Sequence, residues 1–157
     1  MKYCFYLITI LLLSTSCGGA RKSSVRPISD SKTDRIIQQA QSFAGTRYKF
    51  GGTTKRGVDC SGLIYTAFGN ENIVLPRISR DMAKRGKPVK AKDILKGDLL
   101  FFRTSKSSKR INHVGLVTQA KDGEVYFIHA TTSKGVLTSN LNERYWSRAY
   151  VTARRIL

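Results

Sequence analysis

Apolar residues in the first part of the chain recur at helical spacing. One stripe runs between residues 33 and 45, and a second follows Cys60. We predict a first helix capped by Thr33 and ended by Gly45, and a second helix with Asp59 as N-cap and Gly69 just past its end. The apolar positions of the two stripes are Ile36, Ile37, Ala40, Phe43 and Ala44, then Leu63, Ile64, Ala67 and Phe68.

A change of period separates these helices from the rest of the chain. Ser79 is predicted to cap a third, short helix ended by Gly86, and the apolar segments beyond it are short and rich in β-branched and aromatic residues. Asp122-Gly123 is a hairpin turn signal between two of these segments. Because helices come first and strands later, we predict an α+β fold with an antiparallel sheet. The predicted strands are residues 98–103, 113–119, 125–130 and 149–156.

The N-terminus has the pattern of an export signal. Lys2 is followed by an uncharged run from Cys4 to Leu13. A helix of that length spans about 15 Å, half of a bilayer core, so we predict a signal peptide over residues 1–16 rather than a membrane span. Small residues then lead into Cys17. This stretch resembles a bacterial lipobox, in which the cysteine becomes the acylated N-terminus, with Leu13 one position further away than in the common pattern. The alternative is an ordinary cleaved signal.

Cleavage before Cys17 changes the meaning of the cysteine count. Of the three cysteines in the chain, Cys4 is lost with the signal and Cys17 carries lipid, so Cys60 is left as the single free thiol. Exported proteins usually pair their cysteines, and an unpaired thiol there indicates intermolecular pairing or reactive chemistry. Residues 17–32 predict a flexible tether, and residues 33–157 have the size of one domain.

Cys60 and the two histidines of the chain, His113 and His129, form the candidate catalytic group. Strand alternation places His113 on the face opposite Val114, and the predicted hairpin brings His129 toward it. A thiol, a base and a second imidazole that fixes the tautomer of the base are the parts of a nucleophilic cysteine site. At a helix start, the dipole favours the Cys60 thiolate, and a nearby imidazolium adds to this effect, so together they favour an ion pair. Unsatisfied N–H groups at the helix start can bind an oxyanion.

Six short motifs follow one another in an order and spacing that resemble the NlpC-type family of bacterial cell-wall cysteine peptidases. Within that family, the chain is most similar to the single-domain murein endopeptidase lipoproteins of the Spr type, and the resemblance covers about residues 33–157. The motifs are Tyr48-x-x-Gly51-Gly52, Asp59-Cys60-Ser61-Gly62, Leu75-Pro76-Arg77, Gly97-Asp98-Leu99, His113-Val114-Gly115 and His129-Ala130.

The resemblance implies a papain-like fold, with N-terminal helices packed on a small antiparallel sheet. It also implies Cys60 as nucleophile, His113 as base and His129 as the polar third member. Tyr48 matches a tyrosine beside the nucleophile that supports the oxyanion or the substrate, or else is a packed aromatic residue.

Three further residues match family positions, and two of them have a second interpretation. Asp59 and Ser61 correspond to positions near the substrate cleft, although Asp59 also suits a helix N-cap. Arg77 suits a stem-peptide carboxylate or a solvated loop.

The activity that we expect is hydrolysis of murein stem peptides or cross-links through a thioester intermediate. Three alternatives remain open: a zinc site formed by Cys60, His113 and His129, a non-catalytic wall-binding module, and an acyltransferase on the same scaffold. The motifs do not distinguish a bond within one stem from a cross-link between stems.

Charge and targeting complete the expectations. The chain carries 28 basic and 10 acidic residues, for a net charge of +18, and loss of Lys2 with the signal lowers this to +17. In an exported protein, the available polyanions are stem-peptide carboxylates, lipopolysaccharide and anionic lipid head groups rather than nucleic acid, and the charge, which is spread along the chain, does not single out one of them. We expect a monomer without cofactor or metal, held in the cell envelope by lipid on Cys17, at the outer membrane and facing the periplasm.

Overall fold

The architecture is described from a computed structural model, for residues 31–105 and 109–157. The predicted signal over residues 1–16, Cys17 and most of the predicted tether lie outside the described residues. The elements in chain order are α1 (Lys32–Gln41), β1 (Thr53–Thr54), β2 (Gly57–Val58), α2 (Cys60–Gly69), α3 (Ser79–Met82), β3 (Lys87–Val89), β4 (Leu99–Phe102), β5 (His113–Lys121), β6 (Glu124–Thr131), β7 (Gly135–Asn140), α4 (Arg144–Ala149) and β8 (Tyr150–Arg155).

Two of the three predicted helix caps were wrong. The N-cap of α1 is Ser31, whose hydroxyl accepts the Asp34 N–H at 3.1 Å, so Thr33 lies within the first turn instead of before it. This helix ends at Gln41, before Gly45. Ser79 is itself the first residue of α3, and Ile78 precedes it without a side-chain cap. That helix is a single turn, ending at Met82, well before Gly86.

Asp59 is the N-cap of α2, as predicted. Its carboxylate accepts the Gly62 N–H at 2.6 Å, and its backbone C=O accepts the Leu63 N–H at 2.9 Å. This cap satisfies N–H groups that the first turn of a helix leaves without partners. The sequence pattern therefore predicted the start of this helix correctly, and its first residue is Cys60.

The main sheet is antiparallel and has the strand order β3-β8-β4-β5-β6-β7. All four predicted strands are confirmed, and their ends lie within two residues of the predicted ones. Asp122-Gly123 connects β5 to β6. Strands β3 and β7 were not predicted. A separate two-stranded hairpin, β1-β2, precedes α2. Helices followed by an antiparallel sheet confirm the α+β class.

The sheet has a different apolar layer on each face. Helices α1 and α2 cover one face, and α2 packs against β5 and β6. Helix α4 and Trp146 lie on the other face with Phe102 and Phe127. Alternation along β5 assigns Val114 to the first layer and leaves His113 on the second, beside Trp146.

The end of the sheet where β5 begins is closed by several contacts. His113 pairs with Phe102 in the ladder, and the Asn112 N–H donates to the Phe102 C=O at 3.1 Å. The Asn112 side-chain oxygen accepts the Thr104 N–H at 2.9 Å. His113 is thereby held at a fixed strand end.

Within the described ranges, no helix has the length and apolar content that crossing a membrane requires.

Candidate active site

Cys60 and His113 line one cavity of about 230 Å³. Tyr48, Thr104 and Tyr145 contribute to its wall. The Cys60 side chain is 8% exposed and carries a free thiol. The start of α2 and the start of β5 therefore bring the predicted nucleophile and base to the same space, as expected from the sequence.

The two imidazoles are in hydrogen-bond contact, with 3.0 Å between His113 Nε2 and His129 Nδ1. The register explains the contact: Leu116 pairs with Ile128, so His113 and His129 occupy diagonal positions on one face of the hairpin. Because Nε2 of His113 faces His129, Nδ1 is the nitrogen left for the thiol. The predicted proximity of the two histidines is confirmed.

Ser139 extends this contact to a third side chain. The Ser139 hydroxyl lies 3.0 Å from His129 Nε2, and the residue is buried. Strand β7 places it there, since His129 pairs with Leu137 and Ser139 pairs with Phe127. Sequence reasoning missed Ser139 because it missed β7. Both nitrogens of His129 are thus occupied, and its ring orientation is fixed from two sides.

Trp146 covers both imidazoles and was also missed as a site residue. Its ring is stacked on His113 with centroids 5.4 Å apart and planes at 21°, and it meets His129 edge-on at 4.6 Å. The indole excludes water from one side of the pair. The sequence held one signal for this role: Trp146 is the single tryptophan of the chain.

Burial sets the charge state of the resting site. It raises the pKa of the Cys60 thiol, and the N–H groups of Val114, Ser61 and Cys60 offset this only in part. Burial lowers the pKa of His113 to about 4. At neutral pH, the pair is therefore a neutral thiol beside a neutral imidazole. From the helix dipole and a nearby imidazolium we expected an ion pair, but the desolvation cost of the charges is the larger effect here.

Asp59, Ser61 and Arg77 form a hydrogen-bonded network behind the start of α2. Arg77 donates to both Asp59 oxygens at 2.9 and 2.8 Å and to the Ser61 hydroxyl at 3.0 Å, and Ser61 donates to Asp59 at 3.1 Å. Arg77 also donates to the Gly52 C=O at 3.1 Å. Burial raises the pKa of Asp59, but the hydrogen bonds from Arg77 and two backbone N–H groups outweigh it and lower the pKa overall.

This network changes what we expect of its members. The walls of the Cys60 cavity are formed by other residues. Arg77 is neither a solvated loop arginine nor free for a substrate carboxylate, because the buried Asp59 occupies its guanidinium group. Substrate contact by Asp59 and Ser61 stays a prediction, whereas their structural role is direct: they hold the first turn of α2 in place.

Tyr48 is half-buried in the cavity wall. Burial raises the pKa of its hydroxyl, and the charge that Cys60 acquires when it ionises at high pH and the charge of Asp59 act in the same direction. The hydroxyl therefore stays protonated at neutral pH and is available as a donor. Asp59 occupies the N–H groups of Gly62 and Leu63, so the donors of α2 nearest the sulfur are those of Cys60 and Ser61.

The geometry does not suit a zinc site at the same three residues. His113 and His129 direct ring nitrogens at each other instead of at a common point. Among residues 31–105 and 109–157, no group of three histidine, cysteine or carboxylate side chains is arranged to hold a metal ion.

Comparison with known proteins identifies the family. Residues 45–155 match the NlpC/P60 family. The chain is 38% identical over 159 residues to the probable endopeptidase NlpC of Escherichia coli, across 99% of this chain and 100% of that protein. It is 39% identical over 124 residues to the murein DD-endopeptidase MepS/murein LD-carboxypeptidase of the same organism, across 78% of this chain and 62% of that protein.

The architecture agrees with the sequence comparison. The crystal structure of an NlpC/P60 family protein from Bacillus cereus superposes with a TM-score of 0.73 at 30% identity, over 83% of this chain and 42% of the other. The resemblance expected from the motifs is confirmed. The chain belongs to the NlpC/P60 family and is a peptidase with the α+β papain-like fold of that family.

Proposed function

We propose that this protein is a cell-wall endopeptidase that hydrolyses murein stem peptides or their cross-links with Cys60 as nucleophile. The observation that carries the proposal is the 3.0 Å contact between His113 and His129 beside a cavity that holds a free thiol. Two similar proteins bear endopeptidase names, and one of these names specifies murein. A binding module without catalysis has no use for a thiol, a base and a group orienting the base.

In the proposed mechanism, attack and proton transfer occur together. The Cys60 sulfur attacks the carbonyl carbon of the scissile amide while Nδ1 of His113 takes the thiol proton. For that nitrogen to accept, Nε2 of His113 must carry hydrogen and donate to His129 Nδ1, and His129 Nε2–H then donates to Ser139. This pair of tautomers satisfies both contacts, because the Ser139 hydroxyl can accept from His129, and it leaves Nδ1 of His113 as the acceptor that the mechanism requires.

Charge that develops on the substrate oxygen meets donors already in position. The N–H groups at the start of α2 lie beside the sulfur, and the Tyr48 hydroxyl lines the same cavity. Collapse of the tetrahedral species breaks the C–N bond, and His113 returns its proton to the leaving amine. A water molecule, deprotonated by His113, then hydrolyses the thioester and restores the thiol.

We further propose that the protein acts in the cell envelope, anchored by lipid on Cys17 at the outer membrane and facing the periplasm. The signal pattern of residues 1–16 and the small residues before Cys17 support this. Metabolic labelling with a fatty-acid analogue tests it. Wild type should take up label and Cys17→Ser should not; equal labelling of both proteins, or none of either, would contradict the anchor.

Digestion of purified murein, with products identified by mass, tests the activity and shows which bond is cut. Cys60→Ala should abolish hydrolysis while the protein stays folded, and hydrolysis at the wild-type rate would refute the peptidase mechanism. His113→Ala should lower kcat more than His129→Ala, because the first transfers the proton and the second only orients it. The reverse order in single-turnover rates would exchange their roles.

A further inference from the structure

A second and larger cavity adjoins the catalytic one. It has a volume of about 560 Å³, against about 230 Å³ for the cavity of Cys60 and His113. Thr104 and Tyr145 line both cavities and so form their common border. A substrate extending from the thiol past Tyr145 would enter this second space, which is within the size range of ligand sites.

Three arginines line this space, which we call the arginine cavity: Arg103, Arg144 and Arg148. Arg144 and Arg148 are one turn apart on α4 and therefore share a face. Arg103 comes from the end of β4, where its N–H donates to the Ala149 C=O at 2.8 Å and fixes the strand end against the helix. Helix α4 and the end of β4 thus contribute three arginines to the lining of one cavity.

These guanidinium groups differ from other arginines in the fold. Arg35, Arg77 and Arg155 each bind a carboxylate through two hydrogen bonds, to Glu71, Asp59 and Asp98 respectively. Within the described ranges, no ion pair joins the side chain of Arg103, Arg144 or Arg148 to an acidic residue. Among residues 31–105 and 109–157, these three positive charges therefore have no acidic side chain within ion-pair distance.

We propose that the arginine cavity is a substrate subsite that binds free carboxylates of the stem peptide on one side of the scissile bond. This rests on the proposed function, which supplies an anionic peptide attached to the reacting amide. The planar guanidinium fork matches a carboxylate with two parallel hydrogen bonds. A carboxylate contact was one of the two interpretations of Arg77 in the sequence, and this proposal gives that contact to other residues, on α4 and at the end of β4.

Helix α4 would then couple recognition to catalysis. Tyr145 lies on the border between the two cavities, and the adjacent Trp146 is stacked on His113. The same helix that presents Arg144 and Arg148 therefore also covers the catalytic imidazole. Carboxylates bound there would position the peptide relative to His113, whose ring is covered by Trp146 of the same helix.

Binding to the full chain carrying Cys60→Ala, which prevents turnover, tests the proposal directly. The probe is a soluble disaccharide-tetrapeptide with free carboxylates, and the matched probe is the same molecule with its carboxylates amidated. In calorimetric titrations, Arg144→Gln and Arg148→Gln should each raise Kd about three- to tenfold for the free acid. Neither substitution should change Kd for the amide, and added salt should weaken only the free acid.

Arg85→Gln is the control, because Arg85 is exposed and contributes to neither cavity. It removes the same charge and should leave Kd unchanged. Arg144→Lys should retain part of the affinity, since it keeps the charge but loses the fork. Equal binding of the two probes, an equal effect of Arg85→Gln, or no binding of the free acid would each overturn the proposal.

The outcomes separate this proposal from the enzymatic one. If wild type cleaves murein but binding does not depend on Arg144 and Arg148, the subsite is wrong and the peptidase mechanism stands. If arginine-dependent binding is observed and wild type releases no product, the subsite stands and the hydrolytic mechanism is wrong.

Discussion

Acidification should destabilise the protein through its two buried imidazoles. Burial lowers the pKa of His113 to about 4, and burial together with the charge of His113 lowers the pKa of His129 to about 3. In the unfolded chain, both rings titrate near the ordinary value of 6.5. Between these values the unfolded state binds more protons, so stability is at its full value above pH 6.5 and falls as the pH drops toward 4. One pKa unit corresponds to about 1.4 kcal/mol, so His113 alone removes roughly 3 kcal/mol.

Denaturant unfolding from pH 7 to pH 4.5 measures this effect, with His129→Asn as the comparison. The variant keeps a polar group facing His113 but lacks one titrating ring. Below pH 6.5, wild type should therefore lose up to about 1.4 kcal/mol more per pH unit than the variant. Equal slopes for the two proteins would refute the conclusion that His129 is held neutral by burial.

Activity supplies an independent measure of the same pKa values. In the proposed mechanism His113 must be neutral to accept the thiol proton, so kcat/KM should hold its plateau through pH 6 and decline only near pH 4. The acid limb of this pH profile reports the coupled titration of His113 and His129 rather than the titration of one ring. An acid limb centred near 6.5 would show an imidazole with ordinary solvation and would contradict the neutral resting pair.

Three further predictions concern the scaffold and the chemistry. Arg77→Ala should lower the free energy of unfolding, measured with denaturant, by about 2 kcal/mol, because it leaves the buried Asp59 charge without its main partner. Arg77→Lys should recover part of this loss. An unchanged free energy of unfolding for Arg77→Ala would show that the network does not stabilise the fold. Gly62→Ala should lower the melting temperature and the activity, because a Cβ there lies 2.0 Å from the Gly52 oxygen. Gly69→Ala in the same helix is the control, since a Cβ there meets nothing within 4 Å and should leave both unchanged. Equal melting temperatures for the two variants would refute the clash. Hydrolysis should survive chelators and be lost on thiol alkylation, and inactivation by a chelator with recovery on adding zinc would return the assignment to a metal site.

Local chemistry accounts for the parts of the site that the sequence predicted. Asp59 caps the helix through a bond to the N–H three residues on, so the position of Cys60 at the helix start follows from adjacent residues. His113 and His129 share a face because strands alternate with a period of two and Asp122-Gly123 sets the hairpin between them. Neither argument needs a contact distant in sequence.

The parts that were missed depend on distant contacts. Ser139 reaches His129 only because β7 pairs with β6, and the segment Gly135–Asn140 shows no clear alternation in sequence. The pairing of Arg77 with Asp59 crosses a loop that no spacing rule specifies. The pKa of Cys60 was expected from the helix dipole, a local effect. Its direction is set instead by burial under the assembled domain, which a linear sequence does not display.

The closed strand end at Phe102 and His113 has a consequence for how substrate range can diversify. The ladder pair and the contacts of Asn112 fasten both ends of the connection between β4 and β5, which begins at Arg103 in the arginine cavity and returns at Asn112 in the catalytic one. Doubling the length of a flexible loop costs only about 0.6 kcal/mol in closure entropy. Insertions and exchanges in this connection can therefore reshape the border of both cavities while His113 stays anchored to the sheet. If the two cavities bind substrate as proposed, selection acting on this connection can change substrate range without altering the position of the proposed base.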